Sequence, residues 1–257
     1  IPFCEASDPG IPLSKVSAFT IKDQIVTAFC ENVSKPHSEK ETILTITKMG
    51  LVKRSLVSDL PGPSAELFTL VRVNLGDELL DARIMVGEPD IIVISEAGMG
   101  IRFESKEVRT MGFIAAGVNA MKLAKDDKVI SVHLLCGKGE ILAISTDGSG
   151  WRVSEDLFPK QARYGSGVIG FKLSANNRLI GSAYGKKNHQ VSIRFEKSAA
   201  KLIRIDEIPA GKRASAGKRM IEIKPKDRIS SLVESRDFFE LSNLKLTAQA
   251  KKPLKKL

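Results

Sequence analysis

A unit of about fifty residues recurs along this chain, and the repeat constrains the fold more than any other feature of the sequence. Residues 43–54 resemble residues 91–102 and 141–152, which follow at offsets of 48 and 50 residues. A fourth copy starts at Val191 but lacks the glycines of the others. The second half of the unit repeats as well, since glycines stand at positions 117, 167 and 217.

Each unit has the pattern of several short β-strands. Its runs of Ile, Val and Leu are only four to six residues long and rich in β-branched side chains, which favours strands over helices. Glycines after the first run suit a tight hairpin turn with positive φ. The second half leads through an acidic or polar turn, such as Asp126-Asp127, into another apolar run. Four-stranded units with this period predict an all-β, radial, propeller-like array.

Composition indicates a globular protein of a reducing compartment. The 257 residues are 42% hydrophobic and 27% charged, which allows a real core and excludes wholesale disorder. No apolar run approaches the roughly 18 residues of a membrane span. The start at Ile1 rather than Met is typical of a fragment or a processed product. Three cysteines without metal-ligand spacing predict neither a disulfide framework nor a metal site, and favour the cytoplasm.

The net charge of +10 is concentrated near the C-terminus. Residues 1–185 hold 21 basic and 22 acidic side chains, whereas residues 186–257 hold 19 basic and 8 acidic ones. A field of this kind favours a polyanion such as nucleic acid or an anionic membrane surface. For residues 251–256 alone, a solvated basic tail is an equal alternative.

No pattern of catalytic residues stands out, and we expect neither catalytic residues nor a cofactor. The three histidines are scattered, and His133 lies inside an apolar run, which favours a satisfied core or rim side chain. Residues 165–170 formally match the dinucleotide-binding fingerprint, but they lead into a strand rather than into a helix, and we reject that interpretation.

Basic residues recur at fixed places in the unit. An arginine follows the hairpin turn in three units, with Lys201 or Arg204 in the fourth. Residues at one place in every blade lie at one radius, so they would form an arc that matches the phosphates of bent DNA. The alternative is that each arginine pairs with a carboxylate of its own blade. The candidate DNA-binding residues are Lys53, Arg54, Arg102, Lys106, Arg109, Arg152, Lys160, Arg163, Lys186, Lys187, Lys201, Arg204, Lys212, Arg213, Lys218 and Arg219.

These repeats resemble a known family over roughly residues 10–232. Residues 108–131 follow its blade pattern of V-R-x-M-G, then G-V-x-x-x-x-L, then G-D-x-V-x-S, and residues 10–13 and 44–55 fit it too. The family is the C-terminal domain of the A subunit of bacterial DNA gyrase, or of its topoisomerase IV counterpart.

The resemblance implies a β-pinwheel, a propeller-like ring of about five to six four-stranded blades that exchange strands. It would occupy residues 1–232 and start partway through a blade, with a closing strand and a basic tail in residues 233–257. The domain would wrap duplex DNA around its perimeter, largely without sequence preference, and do no chemistry itself. Its other partners would be the rest of the A subunit, together with the ATPase B subunit, in the cytoplasm at the nucleoid and without a membrane.

One hallmark of the gyrase branch is missing. The Q-R-R-G-G-K-G box is absent; residues 161–167 echo it distantly, and residues 211–219 form a basic Gly/Ser loop at the comparable place. Either a box-bearing blade is not part of this sequence, or the protein is similar to topoisomerase IV.

Our hypothesis is sequence-tolerant DNA wrapping, with the last blade and the tail binding most strongly. If about eight cations engage phosphates, log K falls against log salt with a slope near −7. One alternative is a propeller-type protein-interaction module, whose binding would depend weakly on salt. Another is a propeller enzyme that binds a carbohydrate or other ligand, which would need convergent carboxylates or histidines where the repeat supplies Arg and Lys.

Overall fold

The computed structural model describes residues 11–12, 15, 20, 24–28, 41–62 and 67–234. Within these ranges the chain forms β-strands joined by turns and short 3-10 segments. In chain order the strands are β1 (Glu41–Thr47), β2 (Leu51–Leu56), β3 (Leu79–Val86), β4 (Asp90–Ser95), β5 (Met99–Glu104), β6 (Val118–Asn119), β7 (Val129–Leu135), β8 (Glu140–Ser145), β9 (Ser149–Ser154), β10 (Val168–Ile169), β11 (Leu179–Gly185), β12 (Gln190–Phe195), β13 (Lys201–Arg204), β14 (Lys218–Arg219) and β15 (Ile229–Glu234). The 3-10 segments that follow the hairpins are Val57–Asp59, Ser105–Glu107, Glu155–Leu157 and Ile205–Glu207.

The strands form four antiparallel sheets, which we number as blades one to four. From the inside outwards their strand orders are β3-β1-β2-β6, β7-β4-β5-β10, β11-β8-β9-β14 and β15-β12-β13. Each blade is a hairpin with a third, later strand paired to its first member. Strand β7 contacts both β3 and β11, and β11 contacts β15. These four strands therefore lie side by side around the centre of the ring.

The outermost strand of each of the first three blades comes from the connection of the next blade. For example, the chain leaves β5 of the second blade, pairs β6 with β2 of the first blade, and returns to form β7. We name these connections straps one, two and three. They are residues 108–123, 158–173 and 208–223. Because each strap is hydrogen-bonded to a neighbouring blade, consecutive blades exchange strands.

The glycines spaced by fifty residues allow each strap to lie against the preceding blade. Gly167 has φ +74, and a Cβ there would lie 2.6 Å from the carbonyl oxygen of Gly100. Gly117 has φ +104, and its Cβ would lie 2.5 Å from the carbonyl oxygen of Val52. A side chain at either position would meet both a strained backbone and a clash.

The hairpin strands of the first three blades are buried on both faces, which explains why their apolar residues follow one another without alternating with polar ones. Ile91 and Val93 pack into the cluster between the first two blades, whereas Ile92 and Ile94 pack between the second and third. A third cluster fills the space between the third and fourth blades. The second and third sheets each therefore serve as one wall of two adjacent cores.

Polar side chains from the four inner strands meet at the centre of the ring. The carboxylate of Glu234 lies 2.8 Å from Nδ1 of His133 and 3.1 Å from a guanidinium nitrogen of Arg83, so the fourth blade contacts the first and second. Its Oε1 also accepts the N–H of Tyr184 at 2.8 Å. His133 is fully buried, and its Nε2 lies 2.8 Å from Oγ of Ser182. Burial would raise the pKa of Glu234, but the charges of His133 and Arg83 and these hydrogen bonds hold it well below its usual range.

The architecture confirms the all-β, strand-exchanging ring and the buried position of His133. The predicted five to six blades exceed the four found in the described part of the chain, where the fourth sheet has three strands. The partial blade expected at the start lies largely outside the described residues, and so do the closing strand and basic tail expected in residues 233–257, apart from Val233 and Glu234. Among the residues described, no helix has the length and hydropathy of a membrane span.

Candidate nucleic-acid interface

The outer edge of the ring is built mainly from the straps. Their two-residue strands β6, β10 and β14 pair with the second hairpin strand of the preceding blade. Before each of these strands lies a rim loop, and the rim loops are residues 111–117, 161–167 and 211–217. In the fourth blade the outer strand among the described residues is β13. A ligand that follows the perimeter would meet these elements in turn.

The arginine of the first unit lies inside the rim rather than on it. Arg54 is 7% exposed, and its guanidinium donates to both carboxylate oxygens of Glu88 at 3.0 Å and to the carbonyl of Ser105 at 3.0 Å. The hydrogen bond from Arg54 lowers the pKa of Glu88 against the opposing effect of its burial.

The equivalent arginines of the next two units are also paired, each with a carboxylate of its own hairpin. Arg102 donates to Asp90 at 2.9 Å and to the carbonyl of Glu155 at 3.1 Å. Arg152 pairs with Glu140 and donates to the carbonyl of Ile208 at 2.7 Å. These guanidiniums tie one blade to the segment that follows the hairpin of the next. This corrects the assignment of Arg54, Arg102 and Arg152 to an outward-facing arc, and we leave them out of the interface.

Lys53 is also unsuited to contact with a polyanion. Its side chain is 1% exposed, and its ammonium donates to the carbonyls of Leu70 at 2.6 Å and Phe113 at 2.7 Å. Burial lowers the pKa of this ammonium. The sequence placed Lys53 beside Arg54 in the candidate interface, and the structure instead makes it an anchor for the first strap.

Two lysines of the predicted set are on the surface but bound to carboxylates. Lys106 pairs with Glu104, and Lys160 lies 3.1 Å from both Glu104 and Asp90. The hydrogen bonds that they donate to these carboxylates raise the pKa of both ammonium groups. Their positive charge is thus largely offset at the surface.

Arg163 and Arg213 occupy the same position in straps two and three, where they join a strap to the preceding one. The guanidinium of Arg163 donates to the carbonyl of Asn119. That of Arg213 donates to the carbonyls of Ile169 and Leu157, each at 3.1 Å. Both side chains are partly exposed and pair with no carboxylate in the described ranges, so they keep their positive charge at the rim.

The remaining predicted residues lie on the surface. Arg204 is exposed and pairs with Asp206 at 2.9 Å. Seven others are exposed and make no ion pair with any described residue. They are Arg109, Lys186, Lys187, Lys201, Lys212, Lys218 and Arg219.

These seven cations are grouped in the later part of the ring. Lys218 and Arg219 form β14, the outer strand of the third blade, and Lys212 lies in the rim loop just before it. Lys201 starts β13 on the outer edge of the fourth blade. The loop that carries Lys187 is joined to the 3-10 segment of that blade by a hydrogen bond from the Asp206 N–H. Of the seven, only Arg109 belongs to the first strap.

Sequence reasoning missed two surface lysines that recur at a fixed place. Lys122 and Lys172 are fifty residues apart, exposed, and free of ion pairs to described residues. The N–H of Lys122 donates to the carbonyl of Gly165 at 3.0 Å, and that of Lys172 to the carbonyl of Ser215 at 3.1 Å. Each therefore lies beside a rim loop. The fifty-residue spacing that identified the other candidates would have identified these too.

In the described ranges, no three His, Cys, Asp or Glu side chains come together as a metal site requires. The formal fingerprint at residues 165–170 contains the two-residue strand β10, and the residues after it do not form a helix.

Two solved structures match the ring over most of this chain. The structure of the C-terminal domain of DNA topoisomerase IV superposes with a TM-score of 0.78 and 22% identity, over 88% of this chain and 70% of that one. The DNA gyrase A C-terminal domain superposes with a TM-score of 0.75 and 18% identity, over 88% and 75%. At these identities the likeness shows the fold.

Curated relatives match over shorter stretches. The A subunit of DNA gyrase from Salmonella typhimurium is 33% identical over 94 residues, which is 37% of this chain and 11% of that protein. The corresponding gyrase protein from Kosmotoga olearia is 35% identical over 107 residues, or 41% and 13%. The matched region is thus a small fraction of each relative's length.

The family model described as "DNA gyrase C-terminal domain, beta-propeller" matches residues 41–64, 89–136, 139–183 and 199–234. The matched segments contain the hairpins of the first three blades, the three straps and the inner strands of the second and fourth blades, whereas β3 and β12 lie outside them. Because the matched segments make up more than half of its residues, this chain belongs to the DNA gyrase C-terminal domain family.

Proposed function

We propose that this chain binds duplex DNA along its outer rim and bends it there, as a non-catalytic part of the A subunit of a type IIA topoisomerase. The observation that carries the proposal is the group of exposed cations on the third and fourth blades that make no ion pair with any described residue. Membership of the gyrase C-terminal domain family supports it. Cations that contact phosphates carry no sequence information, so the binding is largely independent of sequence.

The rim contacts must offset the cost of bending. Bending a short site by tens of degrees costs several kcal/mol, and release of counterions on phosphate neutralisation supplies the compensating free energy. The seven unpaired cations together with Lys122 and Lys172 give a set close to the eight that the sequence suggested. The expected slope of log K against log salt therefore remains about −7.

Within a topoisomerase, the partners of this domain would be the rest of the A subunit, together with the ATPase B subunit. Its place would be the cytoplasm, at the nucleoid. A ring that bends DNA can present a chosen duplex crossing to a cleavage site elsewhere in the enzyme. Both gyrase and topoisomerase IV are consistent with this role, because the ring superposes on a domain from each.

Fluorescence anisotropy with a 40-base-pair duplex, from 50 to 200 mM KCl, tests the binding proposal. The double variant Lys218→Gln/Arg219→Gln removes two unpaired rim charges from β14. We expect a loss of about tenfold in affinity near 100 mM salt and a slope shallower by about 2.

The matched control is Lys125→Gln/Lys226→Gln, which removes the same charge from two exposed turns that precede inner strands. We expect it to lose less than about threefold in affinity, because only screened, long-range attraction is removed. Equal losses in both variants would show that net charge, rather than the rim, binds the DNA. Ligation of nicked circles with the domain bound then measures writhe, and an unchanged topoisomer distribution would contradict bending.

One observation favours a protein contact at a different part of the rim. Leu67, Phe68 and Ile114 are exposed on the outside of the first blade, and the ring of Phe68 lies 5.7 Å from that of Phe113. This apolar edge suits contact with the remainder of the A subunit better than contact with DNA. A general protein-interaction module would instead bind a partner with little salt dependence and leave DNA unshifted.

A further inference from the structure

The rim loop of the second strap presents an aromatic ring from a backbone that rarely carries one. Tyr164 has φ +68, in the left-handed region that glycine and asparagine enter readily and bulky residues avoid. Its side chain is 51% exposed. It has neither an aromatic neighbour nor a hydroxyl partner among the described residues. The other tyrosine differs, because the hydroxyl of Tyr184 bonds to Glu155 and accepts the N–H of Cys136.

Hydrogen bonds hold this conformation in place. The N–H of Tyr164 donates to the carbonyl of Ala120 at 2.9 Å, and the N–H of Arg163 donates to Glu107 Oε2 at 2.7 Å. The N–H of Lys122 donates to the carbonyl of Gly165 at 3.0 Å. Three hydrogen bonds therefore fix the backbone from which the ring of Tyr164 projects.

The third strap contains the same backbone without the ring. Ala214 stands fifty residues further on, has φ +60, and donates its N–H to the carbonyl of Gly170 at 2.9 Å. The loop geometry thus does not depend on tyrosine, and the exposed ring is an addition to it. In the first strap the equivalent residue is Ile114, which belongs to the apolar edge beside Phe68.

Two cationic residues stand next to Tyr164, one in its own loop and one on the adjoining strap. Arg163 precedes it in the loop, and the exposed Lys122 lies alongside across the bond to Gly165. Cations placed this way contact the phosphates on either side of a groove, which leaves the ring facing the base pairs between them. Apolar and aromatic wedges at such places unstack a base step and kink the duplex, at least cost where the step is pyrimidine–purine.

We propose that Tyr164 wedges its ring against a base step of the bent duplex and so favours DNA with flexible steps along the rim. This inference rests on the proposed function, since it needs DNA on the rim. It adds a preference for DNA shape that the cations cannot supply. The ring contacts the base step itself. The expected preference arises from how easily that step of the DNA is deformed, and it involves no hydrogen bond to a base.

The test uses two 60-base-pair duplexes, one with TA steps every ten base pairs and one with AA at the same places, each carrying 2-aminopurine at those steps. We expect the wild-type chain to bind the TA duplex about fivefold more tightly and to raise its fluorescence about twofold on unstacking. Tyr164→Phe keeps both effects. Tyr164→Asn, which tolerates the same φ, loses both, while its affinity for the AA duplex and its salt slope stay unchanged.

Ala214→Asn is the matched control, with the same substitution in the same loop geometry, and it should behave as wild type. Thermal unfolding of each variant checks that the ring is intact. A Tyr164→Asn protein that keeps the TA preference and the fluorescence rise overturns the wedge alone. Failure of the wild-type chain to bind either duplex with a steep salt dependence overturns the proposed function as well.

Discussion

The repeated arginine shows how a buried charge is held between blades. Arg102 lies on β5, where its neighbours Ile101 and Phe103 are fully buried. Its guanidinium reaches Asp90 across the hairpin and a carbonyl of the next blade's 3-10 segment. Both partners of the ion pair are less than one-fifth exposed. Removal of Arg102 would leave the largely buried Asp90 with only the exposed Lys160 as a counter-charge and the Glu155 carbonyl without its donor, which is costly.

We therefore expect Arg102→Gln to lower the free energy of unfolding by about 3 kcal/mol. Lys106→Gln, at a side chain that is 71% exposed, should change it by less than about 1 kcal/mol. Urea denaturation monitored through Trp151 measures both. An Arg102→Gln protein of wild-type stability whose DNA binding had a shallower salt slope would return this arginine to the interface.

Periodicity predicted the radius of these arginines but not the direction of their side chains. A repeat shows that Arg102 and Arg152 are equivalent, and a strand buried on both faces leaves no outward side for either. A signal for pairing was present in the sequence, because Asp90 and Glu140 each stand twelve residues before their arginine. The first unit lacks this spacing, since Arg54 pairs with Glu88 from the next connection.

At the scale of the element, the strap joins the blades. In strap two, the N–H of Gln161 donates to the carbonyl of Arg102 at 2.8 Å. The N–H of Gly170 donates to the carbonyl of Gly98 at 2.9 Å. Hairpins and glycine turns could be predicted from short apolar runs. The strand exchange could not be derived from them, because two-residue strands such as β10 have no pattern of their own. Only the resemblance to a known family implied it.

The strap glycine should be sensitive to a single methyl group. Gly167→Ala places a Cβ 2.6 Å from the Gly100 carbonyl oxygen at φ +74, so we expect a loss of about 2–3 kcal/mol in stability. Gly112→Ala is the control, because no atom lies within 4 Å of its Cβ and its φ is not positive. It should be neutral to within about 0.5 kcal/mol. Equal urea midpoints for the two variants would contradict the close approach of strap and blade.

At the scale of the whole molecule, the ring combines a repeated scaffold with chemistry that differs from blade to blade. Arg83 and His133 are fifty residues apart, but the equivalent residue in the third blade is Ala183. Glu234 corresponds to Tyr184. The ion-pair network at the ring centre is therefore not repeated from blade to blade, and a search for repeats cannot find it. The concentration of charge after residue 185 could be counted from sequence, and the structure places its described part on the later blades.

Glu234 links the fourth blade to the first two, so its ionisation should control the stability of the ring. Its pKa in the folded chain lies below the ordinary value of about 4.3, because His133 and Arg83 favour the charged form. A depressed carboxyl pKa stabilises the fold above the ordinary value, and this contribution is lost as the pH falls below it. Asp81, which bonds to Arg83 at 2.8 Å, is the other carboxylate at this centre.

We expect Glu234→Gln to lower the free energy of unfolding by about 3 kcal/mol at pH 7. This gap in unfolding free energy between the variant and wild type should narrow as the pH falls from 5 towards 3. Urea denaturation at pH 7, 5, 4 and 3 measures it. Glu222→Gln is the control, at an exposed carboxylate without an ion pair to described residues. Its free energy of unfolding should differ from that of wild type by the same small amount at every pH. A gap that stayed constant with pH would mean that Glu234 stabilises the ring through its packing and its bond to the Tyr184 N–H. A gap that narrows locates the stabilisation in the carboxylate charge between His133 and Arg83.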